Sequence, residues 1–495
     1  MSDPSTPLPT ESSHPAEDQT GSKHPLELSE QALRDMVDGA VEHLVEHLRT
    51  LPEQPMSYSD GAVELAASLR EELPEAGQPF AELLELIFER ALNLSYNTAS
   101  PGYLAYIPGG GLPHAGVADL IADTVNRYIG VFIACPGLVQ LEINVTRWMC
   151  DIVGYGPDSQ GLLTTGGSMA NFTGIYTARR EKLPDDFLNG TLYCSDQVHH
   201  SITKAAMLAG FPPINIRTIP SDDSYRMPID ALAQAIENDR QGGMKPFLIV
   251  ASAGTVNTGA VDDLEAIADL AADERLWFHV DGAYGGFFAL TERGRARLSG
   301  LDRSDSISLD PHKGLFLPYG TGCLVVRDGS ALKRAHHVVA DYMPSLQDDP
   351  ELIDFSECSP ELSRDFRGLR VWLPIKMHGI GAFRQALDEK LDLAAWACRE
   401  LATIPNIEIV AAPQLSIVAF RLVPPGIDEE GLEQLTRELR DRINARQRVL
   451  LTPTWLDGRY VIRICVLNFR THLGRLELCL EDIRAAAGEV FERLR

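Results

Sequence analysis

The sequence predicts an α/β protein, and three observations carry that prediction. From about residue 112 to 330, short apolar runs alternate with stretches of helical spacing. The runs are T-L-Y-C-S, I-N-I-R-T-I, F-L-I-V-A, L-W-F-H-V, S-I-S-L and G-C-L-V-V. Runs of that length and β-branched content suit a sheet buried on both faces. Between F-L-I-V-A and L-W-F-H-V a helix is predicted from Asp262-Asp263-Leu264-Glu265, which has capping-box spacing, with Leu264, Ile267, Ala268 and Ala271 on one face. That is a β-α-β unit, so its two strands should be parallel. After about residue 400 the pattern changes to L-S-I-V-A-F-R-L-V, a helix near 428–446, Y-V-I-R-I-C-V-L-N and a last helix, which predicts a small α+β domain.

In chain order, residues 1–24 are rich in Ser, Thr, Pro, Asp and Glu and are predicted to be a disordered acidic tail. Residues 25–98 form a helical segment. Its first helix carries Leu33, Val37, Val41, Leu44 and Leu48 behind a Ser29 cap; a second runs from about Asp60 to Leu73, where Pro74 stops it; a third carries Phe80, Leu83, Leu84, Ile87, Phe88 and Ala91. Their apolar stripes need a partner surface, either the main domain or a second subunit. The large α/β domain is expected over 99–375. It opens with S-P-G-Y-L-A-Y-I-P-G-G-G (100–111), a shaped loop of aromatics between glycines and prolines. Residues 336–366 are polar without a sustained period and are read as a mobile catalytic loop. A helix after Trp372 leads into the small domain, 376–495.

Bulk properties remove several function classes. The 495 residues allow about three ordinary units. A formal net charge of −26 disfavours a nucleic-acid binder and offers no basic patch to an anionic membrane. The eight cysteines show neither C-x-x-C nor zinc spacing and read as reduced cytosolic thiols, with no metal expected. The chain shows no signal-peptide pattern and no apolar run of 18 residues, so a cytoplasmic location off the membrane is expected.

Ligands in open parallel sheets bind at the carboxyl ends of strands. Two such ends carry chemistry. S-I-S-L-D-P-H-K-G-L-F presents Lys313, and L-W-F-H-V-D-G-A-Y presents Asp281. A lysine and a carboxylate so placed suggest a pyridoxal phosphate (PLP) site, in which the amine condenses with the cofactor aldehyde and the acid keeps the pyridine nitrogen protonated. T-T-G-G-S-M-A-N (164–171) opens a helix with glycines, as a phosphate cradle does, although alone it reads more as a plain N-cap. His199, in C-S-D-Q-V-H-H-S-I-T-K, could stack on a flat ring; alone it reads as structural.

The ordered set T-T-G-G-S-M-A-N, S-D-Q-V-H-H-S, H-V-D-G-A-Y and D-P-H-K, with D-F-R-G-L-R-V-W (365–372) and R-I-C-V-L-N-F-R-T (463–471) after it, resembles the group II PLP-dependent amino-acid decarboxylases. The resemblance runs from about residue 30 to the end. It implies fold type I of the PLP enzymes, with a large mostly parallel mixed sheet, an N-terminal helical flap, a small C-terminal domain, and a homodimer with sites at the subunit interface. It further implies Lys313 as the cofactor lysine, Asp281 at the pyridine nitrogen, and Ala283 and His199 on the two faces of the ring. Gly167 and Ser168 would hold the phosphate, helped by Asp310 and His312, and Thr255 would lie near the ring hydroxyl or substrate. Tyr342 matches the lid tyrosine that returns a proton to Cα; in this family phenylalanine there goes with aldehyde formation, so tyrosine favours simple decarboxylation. Tyr106, Ile107, Pro108 and Phe132 would form an apolar slot for an aromatic side chain. The expected reaction is decarboxylation of an L-amino acid, most plausibly aromatic, to the amine and CO2. The alternatives are an aliphatic, acidic or diamino substrate, an aldehyde synthase or aminotransferase, and a non-catalytic PLP-binding protein.

Overall fold

The structure is a computed structural model that describes residue 24 and residues 26–57, 61–92, 94–338 and 352–494. Residues 1–23 of the expected acidic tail and Tyr342 lie outside the described residues. The chain divides into two compact units, Met1–Tyr96 and Asn97–Arg495.

In the first unit, the helix Glu30–Thr50 starts as expected, with the Ser29 hydroxyl accepting the Ala32 N–H at 3.1 Å. None of its residues is buried. The second helix is shorter than predicted, Ala62–Ser68. Beyond it stand Glu71 and Glu72, where a helix C-terminus disfavours acids, and Leu73 precedes Pro74, which disfavours helical backbone. The third, Phe80–Glu85, continues as a π-helical turn, Leu86–Ala91.

The second unit contains both sheets. The strands of the large one are β1 (Gln160–Thr164), β2 (Gly190–Ser195), β3 (Ile216–Ile219), β4 (Lys245–Ser252), β5 (Trp277–Asp281), β6 (Ser306–Leu309) and β7 (Gly322–Val326), in the order β1-β7-β6-β5-β4-β2-β3. β4, β5 and β6 are parallel, as are β2, β3 and β4; β7 alone runs antiparallel, between β1 and β6. The sheet is thus mixed and mostly parallel, and β1, absent from the sequence-based strands, joins it. Because β1, β2, β4, β5 and β6 share one direction, their carboxyl ends lie along one edge. The buried faces of this sheet carry the main core, including Ile249, Phe278, Val280, Ile307 and Val325.

The helix between β4 and β5, Leu264–Glu274, forms where predicted but without the capping box. Its N-cap is Asp263, which accepts the Ala266 N–H at 3.2 Å. Asp262 is buried and accepts the N–H groups of Ser252 and Met227, each at 2.8 Å. Glu265 bonds Ser299 and Arg303 on the surface instead.

The small sheet is antiparallel, in the order β10 (Thr452–Leu456), β11 (Arg459–Cys465), β9 (Ile417–Leu422) and β8 (Ile407–Ala411). β10 and β11 form a hairpin through Asp457-Gly458, both at positive φ (50° and 72°), the backbone a two-residue turn of this hand requires. Among the described residues no helix is long and apolar enough to cross a membrane, and all eight cysteines are free.

Candidate active site

The parallel strand ends deliver their following residues to one cavity of about 260 Å³. Its lining includes Gly166, Gly167 and Ser168 after β1, His199 and Ser201 after β2, Thr255 after β4, Asp281 and Ala283 at the end of β5, and Asp310, His312 and Lys313 after β6. Of the expected cofactor residues, every one is in this lining.

The strand period explains the Asp281 end. On β5, Trp277, His279 and Asp281 alternate with Phe278 and Val280, so the three polar-tipped side chains share one face. The register sets His279 beside Ser306 and Asp281 beside Ser308 of β6. Asp281 is 8% exposed. Its Oδ1 accepts the Ser308 hydroxyl and the Ala283 N–H, both at 3.1 Å, and its Oδ2 accepts the Asn171 amide at 3.2 Å. Both oxygens therefore accept hydrogen bonds from fixed donors. His199 lies nearby, its Nδ1 2.8 Å from the Ser201 hydroxyl. Burial holds the His199 imidazole below the usual histidine range, against the opposing pull of Asp281.

At the opposite end, Lys313 Nζ stands 2.8 Å from Asp310 Oδ2. Burial acts to lower the amine's pKa, but the Asp310 carboxylate, with Asp281 behind it, outweighs burial and raises it. Asp310 Oδ1 is buried without a hydrogen-bond partner among the described residues. His312 donates Nδ1–H to the Thr321 carbonyl at 2.7 Å, which leaves Nε2 facing Asp310 at 3.6 Å. The helix Gly167–Lys182 begins here. The N–H groups of its first two residues, Gly167 and Ser168, have no intrahelical acceptor, as in any first turn. Gly167 is needed for space: a Cβ there would lie 2.9 Å from Asp310 Oδ2 and 3.1 Å from Ala283 Cβ.

These residues fit pyridoxal phosphate. The first-turn N–H groups and the Ser168 hydroxyl are donors suited to an anion. Lys313 supplies an amine, with Asp310 bonded to it and so positioned to take its proton. Asp281 offers a fully solvated-by-protein carboxylate at the far wall, where a ring nitrogen can be paired. Asp310 bonds Lys313, and as a carboxylate it is a counter-ion to that amine more than a ligand for phosphate. The Thr255 hydroxyl is engaged within its own turn, 2.9 Å from that of Thr258.

Tyr106, Ile107, Pro108 and Phe132 do not line this cavity within one chain. Ile107 is buried in the main core, and Phe132 packs with Ile129, Phe355 and Phe366 while its N–H bonds Asp354. Tyr106 is half exposed and sits at φ 50°, a left-handed backbone that costs a non-glycine residue roughly 1–3 kcal/mol. Its carbonyl accepts from Arg463, whose guanidinium also bonds the carbonyls of Val256 and Asn257. Sequence reasoning missed Asn171, Ser201, Ser308 and this buried Arg463. Asn171 and Ser201 lay inside motifs already singled out; their roles needed the sheet register.

Residues 64–423 match the pyridoxal-dependent decarboxylase conserved domain. The chain is 37% identical over 467 residues to an aromatic-L-amino-acid decarboxylase of Bacillus atrophaeus, covering 94% of this chain and 97% of that protein. It is 29% identical over 461 residues to a tryptophan decarboxylase of Camptotheca acuminata, covering 90% and 91%. Its fold superposes with a TM-score of 0.88 on a solved structure of Oryza sativa TDC with PLP and tryptamine, at 25% identity over 94% of this chain and 99% of that one. The large mixed sheet and small antiparallel domain are the fold type I arrangement of PLP enzymes. A cavity that presents a lysine, a carboxylate and an anion cradle from successive strand ends, and a domain match that spans them all, place the chain in the pyridoxal-dependent decarboxylase family.

Proposed function

We propose that this chain is a PLP-dependent carboxy-lyase that converts an aromatic L-amino acid to its amine and CO2. The observation that carries the reading is the meeting of Lys313, Asp281 and the Gly167–Ser168 helix start in one cavity. In this reading Lys313 attaches the cofactor, Gly167, Ser168 and His312 hold its phosphate, Asp281 pairs with its ring nitrogen, and Ala283 and His199 enclose its ring. When bound, PLP supplies an electron sink for the pair left on Cα as the carboxylate departs.

The chain's own residues then have distinct tasks. Asp281 holds positive charge opposite it; an ionised partner within a few ångström moves a pKa by ~1–3 units, or about 1.4 kcal/mol per unit. Its three donors are already in place, so little reorganisation accompanies the reaction. His199 orients, through a ring fixed by Ser201. Asp310 holds the Lys313 ammonium and can receive its proton. Tyr342, outside the described residues, is assigned the return of a proton to Cα as general acid.

An aromatic substrate is supported by the names of the relatives above. Tyr106, Ile107, Pro108 and Phe132 are assigned to the side-chain slot as it stands in a homodimer, where a second subunit completes the site. Support for the dimer is the exposed apolar row Val117, Leu120, Ile121 and Val125 on the helix Pro113–Val125. A cytoplasmic location goes with this reading.

The test is a screen of the twenty L-amino acids with added PLP, scoring amine, CO2, aldehyde and ammonia. Amine and CO2 in equal amounts from Trp, Tyr or Phe are expected. A visible cofactor band with no amine from any substrate overturns the reading; aldehyde with ammonia moves it to an aldehyde synthase. Light scattering that gives a monomer mass at micromolar concentration overturns the dimer.

A further inference from the structure

Behind Asp281 lies a chain of buried hydrogen bonds that crosses the sheet. The Trp277 indole N–H donates to Ser306 Oγ at 2.8 Å, and Ser306 Oγ is 2.8 Å from His279 Nδ1. His279 Nε2 is 3.0 Å from Asn171 Oδ1. The Asn171 amide N–H2 is 3.2 Å from Asp281 Oδ2 and 3.0 Å from Ser201 Oγ. Ser201 Oγ is 2.8 Å from His199 Nδ1. Asn171, Ser201, His279 and Ser306 are each at most 3% exposed.

The ends of this chain fix its direction. An indole N–H can only donate and a carboxylate can only accept. Since Asp281 can only accept, Asn171 turns its N–H2 to it and its Oδ1 to His279 Nε2, so a neutral His279 leaves Nδ1 to accept the Ser306 proton. The His279 proton then sits on Nε2 and is donated to Asn171 Oδ1. That leaves the Asn171 N–H2 facing Asp281 and Ser201; the flipped amide would set N–H2 against N–H on one side and oxygen against carboxylate on the other. Ser201 in turn donates to His199 Nδ1, which its own backbone N–H also approaches at 3.3 Å. One amide therefore sets the donor to Asp281 and, through Ser201, the ring of His199.

The surroundings keep room for this arrangement. Gly174, one turn after Asn171 on the same helix, admits the imidazole, because a Cβ there would lie 3.0 Å from His279 Cε1. Burial pushes the His279 imidazole down to about 4, so it is neutral at physiological pH, the form with one donor and one acceptor that the chain requires.

We propose that Asn171, anchored by His279, is a positioning residue that locks the acid Asp281 and the stacking ring of His199 into one hydrogen-bonded unit facing the cofactor. This rests on the functional reading above and assigns residues that reading left without a role. Asn171 is not a catalytic residue here; it acts through its two neighbours.

The test uses full-length protein loaded with PLP, with Asn171→Leu, His279→Leu and His279→Gln. Readouts are PLP affinity from the visible band, circular dichroism of that band, the pH at which it changes, and kcat and KM separately. Losing a hydrogen bond to a charged group should weaken PLP binding by about tenfold. The dichroism of Asn171→Leu and His279→Leu should fall together, since both free the same ring, and kcat should fall by more than KM rises. His279→Gln, which can still donate to Asn171 Oδ1, should recover most of the dichroism lost in His279→Leu. If Asn171→Leu does not fold, Asn171→Ser, too short to reach both neighbours, is held to the same expectation. Wild-type affinity, dichroism and pH response in the Asn171 variant overturn the proposal alone. A wild-type protein that shows no visible band with PLP overturns the functional reading, and the proposal falls with it.

Discussion

The two ends of the cavity are built on opposite rules. Around Asp281 each polar side chain has a partner: Ser308, Ala283 and Asn171 on the carboxylate, then His279, Ser306 and Trp277 behind. Around Asp310 the accounting is left open. Its Oδ1 has no partner among the described residues, and beside it stand the first-turn N–H groups of Gly167 and Ser168. A closed network holds one charge in one place. An open one leaves the Gly167 and Ser168 N–H groups as donors for an anion, while Asp310, which can only accept, is the counter-ion of Lys313. The contrast teaches that the Asp281 end is organised by the protein's own hydrogen bonds, whereas the other end holds first-turn N–H donors, at Gly167 and Ser168, of the kind the proposed function uses for an anion.

Variants can break that contrast. Lys313→Ala removes the group at the open end proposed to attach the cofactor; kcat should fall by ~10⁴-fold or more, and the visible band of protein-attached cofactor should vanish. Retained turnover by a rapid CO2 assay would sink the assignment of Lys313. Asp281→Asn keeps the shape of the closed end but replaces one acceptor oxygen with a donor, facing three donors. The loss in kcat should be roughly 10–10³-fold, matching ~1–3 pKa units, while PLP stays bound. If absorbance titration shows PLP binding lost and kcat of the residual holoenzyme intact, the division of labour between the two ends is wrong.

Two histidines shielded from water set a pH signature, His279 in the closed end and His336 apart from it on the helix Ser330–His336. Burial places His279 at about 4, and His336 likewise at about 4. Both lie below the unfolded value of about 6.5, so the unfolded chain binds more protons in that window. Stability is thus present above pH 6.5 and is lost as pH falls toward 4, by at most about 3 kcal/mol per group. Urea unfolding from pH 7 to 4.5 should show this slope, and His279→Gln should flatten it; an unchanged slope would remove His279 as a source. The smallest effect concerns the open end. Gly167→Ala forces a Cβ against Asp310 and Ala283, an overpacking of about 1–3 kcal/mol, so PLP affinity measured by fluorescence should drop about tenfold or more with folding intact.

Much of this was readable before the fold. The six apolar runs are all strands of the large sheet, and the ordered motifs name the lining of the cavity. What stayed hidden was pairing. Asn171 sat inside a quoted motif, yet nothing in T-T-G-G-S-M-A-N says that its amide reaches β5. His279 read as one more residue of an apolar run. Asp262 had the spacing of a cap but is drawn inward by two backbone N–H groups of other segments. Tyr106, Ile107, Pro108 and Phe132 were grouped by likeness, and within one chain they face the core or the surface.

The sequence by itself determined the period of each strand, the residues that follow each strand end, and hence which chemistry meets at the cavity, because side-chain alternation and strand direction are local properties of the backbone. Only the tertiary structure decided which groups are satisfied and which are left open. Hydrogen-bond partners across strands depend on register, and register is fixed by packing between segments more than 100 residues apart, such as Asn171 and Asp281.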